Sequence, residues 1–145
     1  MPYRPQFFDI KELVCPHVHK AFGEKAWMFL DDKALVILDW IRRSLDKPIT
    51  VNDWADGGHY DERGLRCNLC PIVKTKTDND KLYMSAHILG RAFDFDVQDW
   101  DASEVRVWIA ANKNIIPYNI RLENSVNWLH FDTYDTGKKV YIFNP

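Results

Sequence analysis

The feature that most constrains the fold of this chain is the pair His87 and Asp94, two potential metal ligands seven positions apart with Gly90 between them. No single helix or strand brings side chains at that spacing together. A turn at Gly90 can do so, because glycine adopts positive φ at little steric cost. His130, near the end of the chain, must then fold back beside the pair to give two imidazoles and one carboxylate. Three protein ligands leave one position of a zinc ion open for water, as in zinc hydrolases and unlike closed structural sites.

Periodicity along the chain predicts an α+β protein with one domain over residues 1–145. The predicted elements are an irregular segment 7–30 with a short helix around Glu24–Phe29, a helix from Asp31 that stops before Pro48, a strand at 49–51, a long surface connection at 54–82, a strand at Ala92–Val97, a helix from Asp101 to about Asn112, and strands at Tyr118–Glu123, Trp128–Tyr134 and Val140–Phe143. Helices come first in this order and an antiparallel meander comes last, which is typical of the α+β class.

The composition indicates a globular chain without a strong electrostatic preference for a partner. Hydrophobic residues make up 46% of the 145 residues, so a sizeable core can form. The 19 Lys and Arg against 21 Asp and Glu give a net charge of −2 and form no basic stripe, so we do not expect nucleic acid as a partner. No apolar run is long enough to cross a bilayer, and the N-terminus lacks the apolar core of a signal peptide. We expect a cytoplasmic monomer with no membrane partner.

The C-terminal strands suggest a general base. If residues 124–127 form a four-residue turn, Glu123 pairs with Trp128 across the hairpin, and paired side chains point to the same face. Strand alternation then puts His130 on that face too, diagonal to Glu123. In this register Glu123 would take a proton from the water that attacks a carbonyl. The alternative is that Glu123 is an ordinary exposed residue of a strand.

Three further polar residues lie close to the candidate ligands in the sequence. Asp96 and Asp132 would be ligands if the strand register slipped. We expect them instead to hydrogen-bond the ligand imidazoles or to cap turns, because such carboxylates orient metal-bound histidines. Ser85 is not expected to be a nucleophile, because a triad would have to take His87 from the metal. We interpret Ser85 as a support for the loop.

Two motifs in the chain resemble those of one protein family. They are Ser-x-His-x-x-Gly-x-Ala-x-Asp and Trp-x-His, which this chain carries at Ser85, His87, Gly90, Ala92, Asp94, Trp128 and His130. From about Phe7 to its end, the chain resembles the zinc D-Ala-D-Ala carboxypeptidases and their relatives, the vancomycin-resistance D,D-dipeptidases, the phage L-alanyl-D-glutamate endopeptidases and the Hedgehog domain. The resemblance implies a Hedgehog/D,D-peptidase-like fold with N-terminal helices and a C-terminal antiparallel sheet. It also implies that His87, Asp94 and His130 bind Zn²⁺.

The resemblance bears on the catalytic residues as well. Several members have an acidic base three positions before the last histidine, where this chain has Asn127. A subset has Arg-x-Glu ahead of the Trp-x-His strand, which Arg121 and Glu123 match, and this implies that Glu123 is the base. Family members use an arginine upstream of the first motif to bind substrate and stabilise the oxyanion. Arg66 is the candidate for that role and Arg63 the second choice; the alternative for Arg66 is a solvated surface charge.

The function implied by the resemblance is that of a zinc peptidase acting on peptidoglycan stem peptides. It would remove a terminal D-Ala or cleave between L-Ala and D-Glu. A compact chain is compatible with a phage or prophage lysis enzyme that reaches the cell wall through a separate pore, or with a virion-associated peptidase. One alternative is a catalytically inactive module that keeps the zinc for binding or virion structure. Another is a zinc hydrolase of a different amide.

The three cysteines allow a second metal site. Cys67 and Cys70 form a lone CxxC, which Cys15 and the histidines His17 and His19 could complete as a structural zinc site. Only two of the four ligands have ideal local spacing, so we expect free and partly buried thiols instead.

Overall fold

A computed structural model describes residues 3–145 of the chain. The α-helices are α1 (Ile10–Leu13), α2 (Pro16–Phe22), α3 (Asp32–Leu45), α4 (Pro71–Thr77) and α5 (Ala102–Ala111). The strands are β1 (Ile49–Thr50), β2 (Ala92–Val97), β3 (Ile120–Glu123), β4 (Leu129–Asp132) and β5 (Val140–Phe143). Short 3₁₀ helices cover Gly23–Phe29, Trp54–Asp56 and Asp78–Asp80. The predicted α+β class is confirmed, and no helix within residues 3–145 has the length and apolarity needed to cross a membrane.

The five strands form one mixed sheet in the order β1-β2-β4-β3-β5. Neighbouring strands are antiparallel except for β3 and β5, which are parallel. The prediction of an antiparallel C-terminal sheet is therefore wrong for its last strand. Both edges of β4 are occupied by β2 and β3, so β5 joins the free edge of β3. The chain enters β5 at the end of the sheet where β4 finishes, and from there β5 has to run in the direction of β3.

The sheet has one apolar face in the core and one face that carries polar groups. Phe93, Phe95 and Phe131 are fully buried on the apolar face, where α3 and α5 contact β2. Asp94 and His130 occupy the intervening strand positions, so they point to the opposite face. The alternation of these two strands thus separates the core from the candidate ligands.

The long helix α3 begins and ends where the sequence predicts. The Asp31 carboxylate accepts a hydrogen bond from the backbone N–H of Ala34 at 3.1 Å, which satisfies one free donor at the start of the helix. The helix ends at Leu45, shortly before Pro48, because proline cannot continue it. Its apolar stripe, including Leu38, is buried in the core.

Two segments that were predicted to be irregular contain helices. Helices α1 and α2 lie within residues 7–30, and α4 lies within the supposed connection 54–82. Proline occupies the first position of α2 (Pro16) and of α4 (Pro71), where its missing N–H costs nothing and its fixed φ suits the helix. These helices were missed because four to seven residues are too few for apolar periodicity to reveal a helix.

Candidate metal centre

The three predicted ligands come together on the polar face of the sheet. Each of His87, Asp94 and His130 is buried, and their ligand atoms all lie within 4.8 Å of one another. Asp94 in β2 and His130 in β4 are direct cross-strand partners, which fixes two of the three side chains through the backbone ladder. His87 approaches from the turn before β2. The structure therefore holds a cluster that could bind a metal ion at the predicted residues.

A turn at Gly90 brings His87 to the strand, as the sequence predicts. Gly90 has φ = +68°, and a Cβ at this position would collide with the carbonyl oxygen of Phe29. Only glycine fits such a conformation and such an approach without strain. The Ser85 hydroxyl accepts a hydrogen bond from the backbone N–H of His87 at 3.2 Å. Ser85 therefore supports the loop, in line with the prediction.

The hydrogen bonding of His87 leaves an electron pair directed at the centre of the cluster. Its Nδ1 lies 2.9 Å from the carbonyl oxygen of Gly64, which can only accept, so Nδ1 carries the proton. Its Nε2 lies 3.2 Å from Oδ2 of Asp94. Burial lowers the pKa of His87 and disfavours a second proton on the ring. The unprotonated Nε2 of His87 and the Asp94 carboxylate would repel each other at this distance unless they shared a cation. The donor set therefore fits a metal ion.

His130 is held by a carboxylate on the side away from Asp94. Its Nδ1 lies 2.7 Å from Oδ1 of Asp94, and its Nε2 lies 3.0 Å from Oδ2 of Asp132. Arg121 donates two hydrogen bonds to the Asp132 carboxylate, each 2.8 Å long. An Nε2–H bond to Asp132 leaves Nδ1 free for a metal, which is the common arrangement of a carboxylate behind a metal-binding histidine. The hydrogen bond expected between Asp132 and a candidate ligand imidazole is present.

The charges at the centre stabilise an ionised Asp94. Burial alone would raise the pKa of Asp94, but the two facing imidazoles of His87 and His130 hold it well below its usual range. Burial likewise works to lower the pKa of His130, and the hydrogen bonds and charges of Asp132 and Asp94 outweigh it and raise the pKa to about 9. A proton and a metal ion would thus compete for the His130 ring.

Arg66 joins the centre to an open cleft of about 500 Å³. Its Nη2 lies 3.3 Å from Oδ2 of Asp94, and its Nη1 donates to the hydroxyl of Tyr83 at 3.3 Å. Arg66 and Asp94 both line the cleft, together with Asn127 and Trp128. The guanidinium is therefore placed beside the donor cluster, where it can contact a bound carbonyl or carboxylate group.

Arg63, the second choice for this role, is occupied by an ion pair on the cleft wall. Its Nη1 lies 2.9 Å from Oδ2 of Asp96, and its guanidinium lies over the ring of Tyr60, 4.1 Å from the ring centroid. Asp96 therefore pairs with an arginine instead of with a ligand imidazole. Of the two arginines, Arg66 is the one whose guanidinium contacts a member of the cluster.

The predicted pairing of Glu123 is shifted by two residues. Arg121 pairs with Asp132 across β3 and β4, and continuing this register puts Glu123 opposite His130 instead of Trp128. A shift of two preserves the side-chain face, so Glu123 remains on the face of His130. Glu123 is half-buried. Its backbone pairs with Phe143 of β5, and its carboxylate makes no hydrogen bond or ion pair with another side chain of the described range 3–145. It is not among the residues that line the cleft.

The structure contains a second cluster that could hold a metal ion, formed by Cys15, His17, Cys67 and Cys70.

Comparison of the chain with protein-family models, with curated proteins and with solved structures gave no match. The molecule is accordingly defined by its own features: an α+β fold, a cleft with an arginine, and two clusters of potential metal ligands.

Proposed function

We propose that this protein is a zinc-dependent peptidase that hydrolyses peptide bonds in bacterial peptidoglycan. The observation that carries the proposal is the convergence of three side chains beside a cleft: the unprotonated Nε2 of His87 faces Asp94, and His130 lies next to both. Two imidazoles and one carboxylate make a donor set that suits catalytic zinc. The substrate class is supported by the resemblance of the Ser85–Asp94 and Trp128–His130 motifs to the zinc D-Ala-D-Ala carboxypeptidase family.

The chain's own residues would divide the catalytic work. Zinc, when bound, polarises the scissile carbonyl and acidifies water at neutral pH. Arg66 would bind the substrate and stabilise negative charge on the carbonyl oxygen, since its guanidinium already lies next to Asp94. Glu123 would accept the proton of the attacking water and pass it to the leaving amine. Trp128, which is 37% exposed at the cleft, offers an apolar surface for the peptide.

The proposal is tested by digesting purified peptidoglycan with the zinc-supplied protein and identifying the released peptides by mass spectrometry. We expect wild type to release peptides whose new termini name the cleaved bond. We expect His87→Ala to bind one zinc fewer than wild type and to release none. His19→Ala is the matched control, because His19 belongs to neither cluster, and it should behave as wild type. Zinc bound at this centre without cleavage of any wall peptide would favour the inactive binding module.

The role of Glu123 is tested by Glu123→Gln, which keeps the size of the side chain and removes its ability to take a proton. We expect kcat to fall by about 10²- to 10⁴-fold, the usual contribution of a general base, with unchanged zinc content. Glu104→Gln is the control, because Glu104 is an exposed residue of α5. Full turnover in the Glu123→Gln variant would show that another group is the base.

A further inference from the structure

We propose that Cys15, His17, Cys67 and Cys70 form a second metal site, a closed structural zinc site of the Cys₃His type. All four ligand atoms lie within 4.8 Å of one another. They come from two segments, with 50 positions separating His17 from Cys67. The inference is independent of the proposed peptidase function, because no residue is shared between the two clusters.

The distances in this cluster match those of tetrahedral zinc. Nδ1 of His17 lies 3.5 Å from Sγ of Cys67 and 3.9 Å from Sγ of Cys70, and the two sulphur atoms are 3.9 Å apart. Zinc bonds of about 2.3 Å to sulphur and about 2.0–2.1 Å to nitrogen give tetrahedral edges of roughly 3.8 Å between sulphurs and roughly 3.6 Å between sulphur and nitrogen. The side chains are thus already arranged around the position of an ion.

Backbone groups around the CxxC support negative charge on the sulphurs. The N–H of Cys67 points to Sγ of Cys70 at 3.4 Å, and the N–H of Leu69 points to Sγ of Cys67 at 3.3 Å. Hydrogen bonds of this kind favour the ionised form of the acceptor. Three thiolates with one imidazole are soft ligands that select zinc over magnesium or calcium. Four protein ligands leave no open position, which is characteristic of a structural site.

This site would fix the segment that carries Arg66. The backbone N–H of Cys15 donates to the carbonyl oxygen of Leu65 at 3.2 Å, so the two ligand-bearing segments already lie side by side. Arg66 directly precedes Cys67, and its backbone N–H donates to the carbonyl oxygen of His87 at 3.2 Å. Zinc bound by the cysteines and His17 would hold this segment between α2 and the loop that carries His87. Its role is thus positional: it contacts no substrate.

The test counts zinc in purified protein and uses two histidines of α2 as a matched pair. We expect about two zinc ions per wild-type chain and one fewer in His17→Ala and in Cys67→Ser. His19→Ala should keep the wild-type content, because His19 lies two positions from His17 and outside the cluster. Equal zinc content in wild type, His17→Ala and Cys67→Ser would overturn the proposal.

A second measurement uses cobalt in place of zinc and does not depend on the stability of the cysteine variant. Cobalt-loaded wild type and cobalt-loaded His87→Ala should both show the sulphur-to-cobalt charge-transfer absorption of a tetrahedral thiolate site. Loss of that absorption on blocking the thiols would support the assignment. A native protein with a Cys67–Cys70 disulfide, or with three freely reactive thiols and no thiolate–cobalt absorption, would overturn it. Thiolate–cobalt absorption, together with no wall cleavage by the zinc-supplied protein, would refute the peptidase and leave the structural site standing, because the two clusters share no residue.

Discussion

At the scale of single residues, the candidate centre depends on which nitrogen of each histidine is left free. The carbonyl oxygen of Gly64 accepts a hydrogen bond from Nδ1–H of His87, and the Asp132 carboxylate faces Nε2 of His130. The two rings therefore present different nitrogens to the same point. Buried hydrogen-bond partners fix the orientation of the rings before any ion binds, and such partners usually strengthen metal affinity.

The role of Asp132 leads to a prediction about metal affinity. Asp132→Asn keeps the size of the side chain and removes the charge that faces His130 Nε2 and pairs with Arg121. We expect zinc affinity of the His87–Asp94–His130 centre to fall by about 10- to 100-fold, measured by competition with a chelator. Asp135→Asn, at an exposed position just beyond β4, is the control. An unchanged affinity in Asp132→Asn would show that Asp132 has no part in metal binding.

The candidate ligands and the contact of Asp132 with one of their imidazoles could be predicted from the sequence, and the ion pair that holds Asp132 could not. The ligand spacing and Gly90 are local features of the printed chain. The ion pair of Arg121 with Asp132 depends on the register of β3 against β4, and the register inferred from a four-residue turn was wrong by two residues. The sequence gives no measure of turn length that would have fixed this pairing.

At the scale of elements, the start of α3 is joined to both parts of the site. The backbone N–H of Asp31 donates to the carbonyl oxygen of Gly90 at 2.9 Å. The Asp31 carboxylate caps α3 and also accepts from the hydroxyl of Thr133, just after β4, at 2.9 Å. One residue thus connects the helix, the glycine turn and the strand of His130.

We therefore expect Asp31→Ala to destabilise the fold. Loss of a helix cap costs about 1–2 kcal/mol, which corresponds to a fall in Tm of roughly 5 °C for a domain of this size. Asp31→Asn is the matched control, because asparagine caps helices as well as aspartate does, and it should stay close to wild type. The two variants are compared by thermal unfolding. Equal Tm values for Asp31→Ala and wild type would contradict the cap's contribution.

Element prediction succeeded where a pattern was long or strictly alternating. The bounds of β2 and β5 agree with the sequence-based ranges, and the bounds of α3 agree closely. The short helices α1, α2 and α4 escaped detection, since proline and capping residues define them more than periodicity does. The direction of β5 was also missed, because it depends on which sheet edge is still free after β4 is paired.

At the scale of the whole molecule, the two clusters differ in what a bound metal would add to stability. Asp94 and His130 are already joined by the four residue pairs of the β2–β4 ladder, so an ion there adds a cross-link between strands that the backbone already connects. An ion at the cysteine cluster would cross-link segments 50 positions apart. Cross-links of distant segments restrict the unfolded chain more than those of neighbours do.

We accordingly expect most of the metal-dependent stability to come from the cysteine cluster. Structural zinc contributes several kcal/mol or more to folding, and a loss of about 3 kcal/mol lowers the Tm of such a domain by roughly 10 °C. A chelator should therefore lower the Tm of wild type and of His19→Ala by at least that amount. Cys67→Ser should unfold at a low temperature already, and the chelator should change its Tm little. Differential scanning calorimetry measures all three proteins with and without the chelator. If the chelator lowered the Tm of Cys67→Ser as much as that of wild type, the stabilising ion would be the one bound by His87, Asp94 and His130.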